Sequence, residues 1–132
     1  MAAGIGIDLV DVERFALVLA RRRGIAERLF TALELSQAAG ATPAARAGRL
    51  AARFAAKEAV LKSLGVGLGA ARFRDIEVRR LDSGRPELRL AGAAAQLAAE
   101  RGVTRWHVSL SHTGLTAAAV VHAETSDARP ES

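Results

Sequence analysis

Apolar and polar residues alternate at the start of the chain, where Ile5, Ile7 and Leu9 are separated by glycine or aspartate. A period of two is typical of a β-strand with one buried face. We therefore expect the three aliphatic side chains to lie on the buried face of a first strand. Asp8 falls near the outgoing end of that strand, where a carboxylate can either cap the next helix or bind a metal ion.

Three helix starts are predicted from residues that favour the N-terminal position of a helix. Asp11 can cap a helix over residues 12–23. Thr31 and Glu34 have the spacing of a capping box, which predicts a second, short helix. A proline at the first helical position predicts a long helix over residues 43–64, and a glycine-rich loop follows it.

The second half of the chain mixes strands with one helix. Alternating apolar positions predict strands around 76–78, 88–90, 106–111 and 116–122, and an alanine-rich stretch predicts a helix over 92–101. Because strands and helices do not alternate regularly, we expect an α+β fold with a small, largely antiparallel sheet. The length of 132 residues fits one domain, which we assign to residues 1–124, followed by a polar tail over 125–132.

Composition narrows the classes of function. The chain has no cysteine, which excludes disulfides and thiolate chemistry and favours a cytoplasmic setting. Charged residues interrupt every apolar run, so neither a secretion signal nor a membrane span is expected. The first 74 residues hold 12 basic and 6 acidic side chains, which favours a phosphate-bearing ligand, an acidic protein or nucleic acid as partner. Nucleic acid is disfavoured because no aromatic residue for base stacking lies between Phe30 and Phe54.

The two lysines mark the sharpest local feature. Lysine and arginine total 19, yet Lys57 and Lys62 are the only lysines, and both lie within five residues of Glu58. A compact ammonium group can approach a single phosphate oxygen. Two plainer explanations stay open. Glu58 and Lys62 also have the spacing of an ordinary helix ion pair, and the glycines in 65–69 can cradle a phosphate or simply end the helix.

Asp8 and Glu58 are the candidate metal ligands. If they meet, two carboxylates with water and substrate phosphate oxygens make the kind of site that Mg²⁺ prefers. His112, in a predicted turn, can contact phosphate or ribose, or be an ordinary surface residue. A serine hydrolase site with Ser111 is disfavoured, because neighbouring strand residues point to opposite faces and no acid lies nearby to orient the imidazole.

Seven short motifs contain most of these candidates. In chain order they are Gly4-Ile-Gly-Ile-Asp-Leu-Val-Asp11, Phe30-Thr-x-x-Glu-Leu35, Arg53-Phe-Ala-Ala-Lys-Glu-Ala59 with Lys62, Gly65-x-Gly-x-Gly69, Phe73-x-Asp-Ile76, Gly84-Arg-Pro86 and Val108-Ser-Leu-Ser-His-Thr113. Together they resemble the small, single-domain holo-acyl-carrier-protein synthases, over nearly all of the chain from Gly4 to Ala123. The resemblance implies a 4′-phosphopantetheinyl transferase fold, with the sheet packed against the long helix, and a homotrimer whose active sites lie between subunits.

The resemblance also implies a reaction. Coenzyme A and an apo acyl carrier protein would give the holo carrier and adenosine 3′,5′-bisphosphate, in a magnesium-dependent transfer to a carrier serine. Asp8 and Glu58 would hold Mg²⁺ against the pyrophosphate, and Lys62 would stabilise or protonate the leaving phosphate. The proton acceptor would be Glu58 or a metal-bound water, and the enzyme would need no nucleophile of its own.

Further contacts are implied on either side of this centre. The residues expected to contact coenzyme A are Arg53, Lys57, Gly65, Gly67, Arg85, Pro86 and His112. An exposed stripe on the first helix would dock the acidic carrier, and its residues are Arg14, Val18, Arg21 and Arg22. An ordinary solvated helix face is the alternative for that stripe.

One departure from the family pattern is visible. Some relatives have an acidic residue after the histidine, whereas Thr113 stands there in this chain, so metal ligands beyond Asp8 and Glu58 are not expected. Two competing interpretations remain at this level: a non-catalytic module that binds nucleotide or polyanion through its basic half, and an excised domain of a larger synthase.

Overall fold

The computed structural model describes residues 4–40 and 42–126, which form five helices, a short 3₁₀ turn and five strands. In chain order these are β1 (Gly4–Asp11), α1 (Val12–Arg21), α2 (Ile25–Leu29), α3 (Ala32–Ala38), α4 (Pro43–Ser63), the 3₁₀ turn (Phe73–Asp75), β2 (Ile76–Arg80), β3 (Pro86–Leu90), α5 (Gly92–Glu100), β4 (Val103–His112) and β5 (Thr116–Thr125).

The strands form two small antiparallel sheets, which confirms the predicted α+β class. The larger sheet has the strand order β1-β5-β4, with Asp8 opposite Ala119 and Ala119 opposite Leu110. The smaller sheet is the β2–β3 hairpin. β5 continues to Thr125, one residue beyond the predicted domain boundary, and most of the predicted tail lies outside the described residues.

The predicted helix starts are confirmed by their caps. The Asp11 side chain accepts a hydrogen bond from the Arg14 amide at 2.8 Å. Thr31 and Glu34 form the complete capping box of α3. Thr42 caps α4 through the Ala45 amide. α2 was not predicted, because the chain from residue 24 offers no side-chain cap: α2 begins after a glycine in a left-handed conformation.

The predicted orientation of β1 is wrong. Ile5, Ile7 and Leu9 are 70%, 59% and 67% exposed, and the opposite face of the strand packs against α4. The reason is the close approach that glycine permits. A Cβ at Gly6 would lie 2.0 Å from the Ala59 carbonyl oxygen, so only glycine allows the helix backbone to rest there.

Helix α4 is the central element of the core. It contacts both β1 and β5, and half of the residues that it buries are alanine. Small side chains let the helix approach the sheet and the hairpin at once. α4 also buries two cationic side chains, Arg53 and Lys57. Among the described residues no helix is long and apolar enough to cross a membrane.

Candidate active site

Two acids and a lysine converge where α4 crosses β1. The Lys62 ammonium donates a 2.7 Å hydrogen bond to Asp8 Oδ1 and a 3.2 Å hydrogen bond to the Ile7 carbonyl. Glu58 is half-buried on the same side of the helix. Lys62 thus pairs with the acid of the strand, and the ordinary helix pair between Glu58 and Lys62 is not formed.

The surroundings of Glu58 disfavour its charged form. Burial, followed by the nearby Asp8 carboxylate, raises the pKa of Glu58 to about 8, and Lys62 opposes that rise only in part. The hydrogen bond from Lys62 to Asp8 raises the pKa of Lys62, so this ammonium stays charged at neutral pH. A carboxyl group that keeps its proton at neutral pH beside a second acid indicates a site short of positive charge.

This deficit fits a divalent cation. Two facing carboxylates are hard oxygen donors, which Mg²⁺ prefers over nitrogen or sulfur. Within residues 4–40 and 42–126 no cluster of three or more His, Asp or Glu side chains suited to a metal is present. An ion held by Asp8 and Glu58 therefore needs further oxygens from water and from a bound phosphate.

A basic pocket lies between α4, the β2–β3 hairpin and β4. Its volume is about 320 Å³. Three residues predicted to contact coenzyme A line it: Arg53, Pro86 and His112. Three arginines that sequence reasoning did not single out complete its charge, and these are Arg49, Arg79 and Arg80. Arg49 could have been found from its spacing of four from Arg53, which places both on one side of α4.

Glycine again makes room at the pocket. A Cβ at Gly48 would lie 3.1 Å from Nδ1 of His112, so the imidazole rests directly against the backbone of α4. This contact holds His112 at the mouth of the pocket, beside the N-terminal half of the helix.

The acid cluster and the basic pocket lie on opposite flanks of α4. Successive helical residues are about 100° apart, so Glu58, five residues after Arg53, points about 140° away from it. The strands repeat this separation, because Asp8 is on the β1 edge of the larger sheet and His112 is on the β4 edge. Within one chain, α4 stands between the two sites.

Comparison with known proteins identifies the family. A family model described as the 4′-phosphopantetheinyl transferase superfamily matches residues 4–120. The chain belongs to this superfamily. It is 52% identical over 122 residues to the holo-[acyl-carrier-protein] synthase of Frankia casuarinae, covering 92% of this chain and 97% of that protein. It is 50% identical over 121 residues to the Streptomyces avermitilis protein of the same name, covering 92% and 96%.

The fold agrees with a solved structure of the superfamily. The holo-(acyl-carrier-protein) synthase from Bacillus anthracis, determined in complex with CoA (3′,5′-ADP), superposes with a TM-score of 0.77 and 35% identity, covering 93% of this chain and 96% of that one. That ligand places a nucleotide with two phosphates on the related protein. The basic pocket and the acid cluster are the regions of this chain whose charge suits such a ligand.

Lys57 does not lie where its predicted contact with coenzyme A requires. Its side chain is fully buried, and the ammonium donates to Glu34 Oε1 and to the carbonyl oxygens of Phe73 and Ile76. Burial lowers the pKa of Lys57, and the Glu34 carboxylate opposes this effect. With its three protons donated inside the protein, Lys57 has a structural role in place of the predicted one.

The glycine loop after α4 ends the helix. The Gly65 amide donates to the Lys62 carbonyl, and the Val66 amide donates to the Leu61 carbonyl, which is a helix C-cap. The Gly65 amide is therefore engaged within the protein and is not free to donate to a phosphate. Gly67 is exposed in the loop beyond it.

The remaining predicted contacts are at the surface. Arg85 is exposed at the turn of the β2–β3 hairpin, and its amide donates to Ser83 Oγ. Thr113 belongs to the turn between β4 and β5, where its hydroxyl accepts hydrogen bonds from the amides of Leu115 and Thr116. On α1 and its C-cap, the predicted docking stripe consists of three exposed arginines around a half-buried valine: Arg14, Val18, Arg21 and Arg22.

Proposed function

We propose that this protein transfers the 4′-phosphopantetheine group of coenzyme A to a serine hydroxyl of an apo acyl carrier protein. The convergence of Asp8, Glu58 and Lys62 carries the proposal, because Lys62 brings a positive charge to a pyrophosphate whose phosphorus–oxygen bond is broken, and the two carboxylates would hold the divalent cation that it also needs. Membership of the superfamily and the names of the relatives support the same reaction.

Bond changes in this reaction are simple. The carrier serine oxygen forms a bond to the phosphorus nearer pantetheine, and the bond from that phosphorus to the bridging oxygen breaks. Adenosine 3′,5′-bisphosphate leaves with the added negative charge on its 5′-phosphate. The Lys62 ammonium is placed to offset that charge, and the Glu58 carboxylate in its charged form, or a water beside it, is placed to take the serine proton.

Asp8 and Glu58 are the residues that would hold Mg²⁺. When bound, the ion would neutralise charge on the pyrophosphate. The donor chemistry fits, since the two protein carboxylates leave coordination positions for phosphate oxygens. The ion would also remove the conflict between the two acids and return the Glu58 carboxyl to its charged form.

The basic pocket is the proposed site for the nucleotide end of coenzyme A. Arg53 and His112 line it, and the arginines around them suit the 3′-phosphate. Arg85 and Pro86 extend this wall along the hairpin. Gly67 stays a proposed contact on the loop that follows α4.

The opposite placement of the two sites favours an assembly. A coenzyme A molecule held in the pocket of one chain cannot reach the acids of the same chain through α4, whereas the acids of a neighbouring chain can lie beside it. The exposed stripe of Ile5, Ile7 and Leu9 continues across the sheet to Val120, and such a surface is typical of a subunit interface. We therefore propose a homotrimer with the active sites between subunits.

The docking stripe on α1 is the proposed contact for the carrier. Its arginines project into solvent around an apolar centre, which suits an acidic partner with a small hydrophobic patch. The absence of cysteine favours a cytoplasmic setting for the reaction. The domain that carries it out is proposed to span residues 1–124.

Mass spectrometry of the carrier tests the function. Incubation with coenzyme A, Mg²⁺ and an apo carrier is expected to add a phosphopantetheine mass, and Asp8→Ala or Glu58→Ala is expected to slow transfer at least about a thousandfold while the protein stays folded. No mass gain on a panel of apo carriers, combined with coenzyme A binding that is indifferent to a chelator, would instead identify a non-catalytic nucleotide-binding module.

A further inference from the structure

The free edge of β2 is closed by side chains instead of a third strand. β2 pairs with β3 on one side, so the backbone groups of Ile76, Val78 and Arg80 on its other side need different partners. Five such groups point away from β3: the carbonyl of Ile76 and both the amide and the carbonyl of Val78 and Arg80. Each of the five is hydrogen-bonded to a side chain of α3 or α4.

The centre of this arrangement is a buried ion pair. Glu34 Oε1 accepts from Lys57 Nζ at 2.8 Å, and Glu34 Oε2 accepts from the Val78 amide at 2.8 Å. Lys57 in turn donates to the Ile76 carbonyl. Arg53 Nε donates to the Val78 carbonyl at 3.2 Å. One strand is thus joined to both helices through charged groups that are buried.

The C-terminal end of β2 is held by the neutral side chain of Gln37. Gln37 accepts from the Arg80 amide at 2.7 Å and donates to the Arg80 carbonyl at 3.0 Å, so one carboxamide replaces both bonds that a neighbouring strand would make. We call Glu34, Gln37, Arg53 and Lys57 the side-chain edge. Of these four residues, Glu34, Gln37 and Lys57 do not line the basic pocket.

The strand held by this edge carries one wall of the pocket. Arg79 and Arg80 of β2 line it, and so do Gly84 and Pro86 from the turn and from β3. A two-stranded hairpin is only marginally stable by itself. The position of this wall therefore depends on the bonds along the free edge of β2.

We propose that the side-chain edge positions the β2–β3 hairpin for binding of the nucleotide phosphates, and that Gln37 is a positioning residue for coenzyme A. This inference rests on the proposed function of the basic pocket. Gln37 acts through the Arg80 backbone, which it holds at both polar groups, and its own side chain does not line the pocket. It sets the affinity for coenzyme A and leaves the acid cluster unchanged.

The variant Gln37→Ala tests this proposal, with Ser36→Ala as its control. Ser36 is the preceding residue on α3, is exposed, and has no side-chain hydrogen bond within the described part of the chain. Both variants place alanine in the same helix, but only Gln37→Ala removes the hydrogen bonds to Arg80. Gln37→Ala is expected to raise the KM for coenzyme A roughly three- to tenfold, the loss expected for two hydrogen bonds.

Several readouts separate positioning from general destabilisation. In Gln37→Ala, kcat and the KM for the carrier should stay within about twofold of wild type, since the Gln37 side chain bonds only the Arg80 backbone and touches neither the acids nor Lys62. Amide exchange at Arg80 should accelerate in Gln37→Ala and not in Ser36→Ala. A KM for coenzyme A that stays at the wild-type value while Arg80 exchanges faster would overturn the proposal, and so would an equal loss in kcat.

Calorimetric titration of coenzyme A distinguishes this failure from that of the proposed function. If wild type binds coenzyme A and Gln37→Ala binds it equally well, only the positioning proposal is overturned. If wild type does not bind coenzyme A at all, the proposed function fails and the positioning proposal fails with it.

Discussion

The two flanks of α4 each carry a lysine paired with a carboxylate, and burial makes the pairs different in kind. Lys57 lies 2.8 Å from Glu34, and both side chains are fully buried. Lys62 lies 2.7 Å from Asp8, but 56% of the lysine side chain and 13% of the aspartate side chain are exposed. The two pairs have nearly the same geometry and are five residues apart on one helix.

The partners around each pair show what the difference means. At Glu34 and Lys57 every hydrogen bond is directed at a backbone group or at the other member of the pair, so nothing is left to bind a ligand. At Asp8 and Lys62 a second acid, Glu58, has a raised pKa, and within residues 4–40 and 42–126 it forms no salt bridge of its own. The buried pair of Glu34 and Lys57, the closed pair, stabilises the fold. The exposed pair of Asp8 and Lys62, the open pair, lies where a charged ligand can bind.

Matched substitutions of the two lysines should give opposite results. Lys57→Met is expected to lower the free energy of unfolding by about 3–5 kcal/mol, because it leaves a buried carboxylate without its counter-charge. Lys62→Met is expected to leave the melting temperature close to that of wild type, and to slow transfer at least about a hundredfold through loss of charge at the leaving phosphate.

Urea denaturation and single-turnover transfer assays on both variants measure this contrast. The double variant Glu34→Gln/Lys57→Met is the control for the closed pair, because removing both charges should restore part of the lost stability. A stable, slow Lys57→Met protein together with an unstable, active Lys62→Met protein would reverse the assignment.

The contact between β1 and α4 brings the acid cluster together, and it can be broken by one methyl group. Gly6→Ala places a Cβ 2.0 Å from the Ala59 carbonyl, which must move the helix away from Asp8. We expect a loss of about 1–3 kcal/mol in the free energy of unfolding, with reduced transfer. Gly67→Ala, where no atom lies within 4 Å of the added group, is the control and should retain stability.

The pH dependence of the stability of the metal-free protein should reveal how strongly the fold disfavours the charged form of Glu58. Because the folded protein raises the pKa of Glu58 to about 8, the protonated carboxyl stabilises the fold at acidic pH, and that contribution is lost as the pH rises from about 4.5 through 8.

The measurement is the difference in unfolding free energy between wild type and Glu58→Gln, in chelator, across that pH range. Wild type should lose stability relative to the variant as the pH rises, and added Mg²⁺ should reverse the loss. A difference that does not change with pH would mean that neither burial nor Asp8 raises the pKa of Glu58 in the folded protein.

Local signals in the sequence were sufficient for much of the fold. The caps at Asp11, Thr31 and Thr42 are short-range features, so the helix starts could be predicted from neighbouring residues alone. β1 was oriented incorrectly because the period of two identifies the apolar face but not whether that face meets the core of the same chain. Glycine on the other face was the available signal, since only glycine permits so close a helix.

The site was predictable in part for the same reason. Asp8, Glu58 and Lys62 belong to recognisable motifs, and the structure brings them together. The role of Lys57 depends on Glu34, 23 residues away, and on carbonyl groups that any residue would supply, so no local pattern reveals it. The basic pocket likewise combines α4 with a distant hairpin, and its arginines stand out only once the chain is folded.

In the proposed homotrimer the acids and the pocket of one active site come from different chains, and a complementation assay tests this arrangement most directly. Asp8→Ala lacks a working acid cluster, and Arg49→Ala/His112→Ala is designed to lack a working pocket. Each is expected to be nearly inactive alone. In an equimolar co-refolded mixture, random assembly should restore about a quarter of the wild-type transfer rate, because one shared site in four combines two intact halves. Mixed assemblies, verified by mass, that remain as inactive as the separate variants would contradict the account.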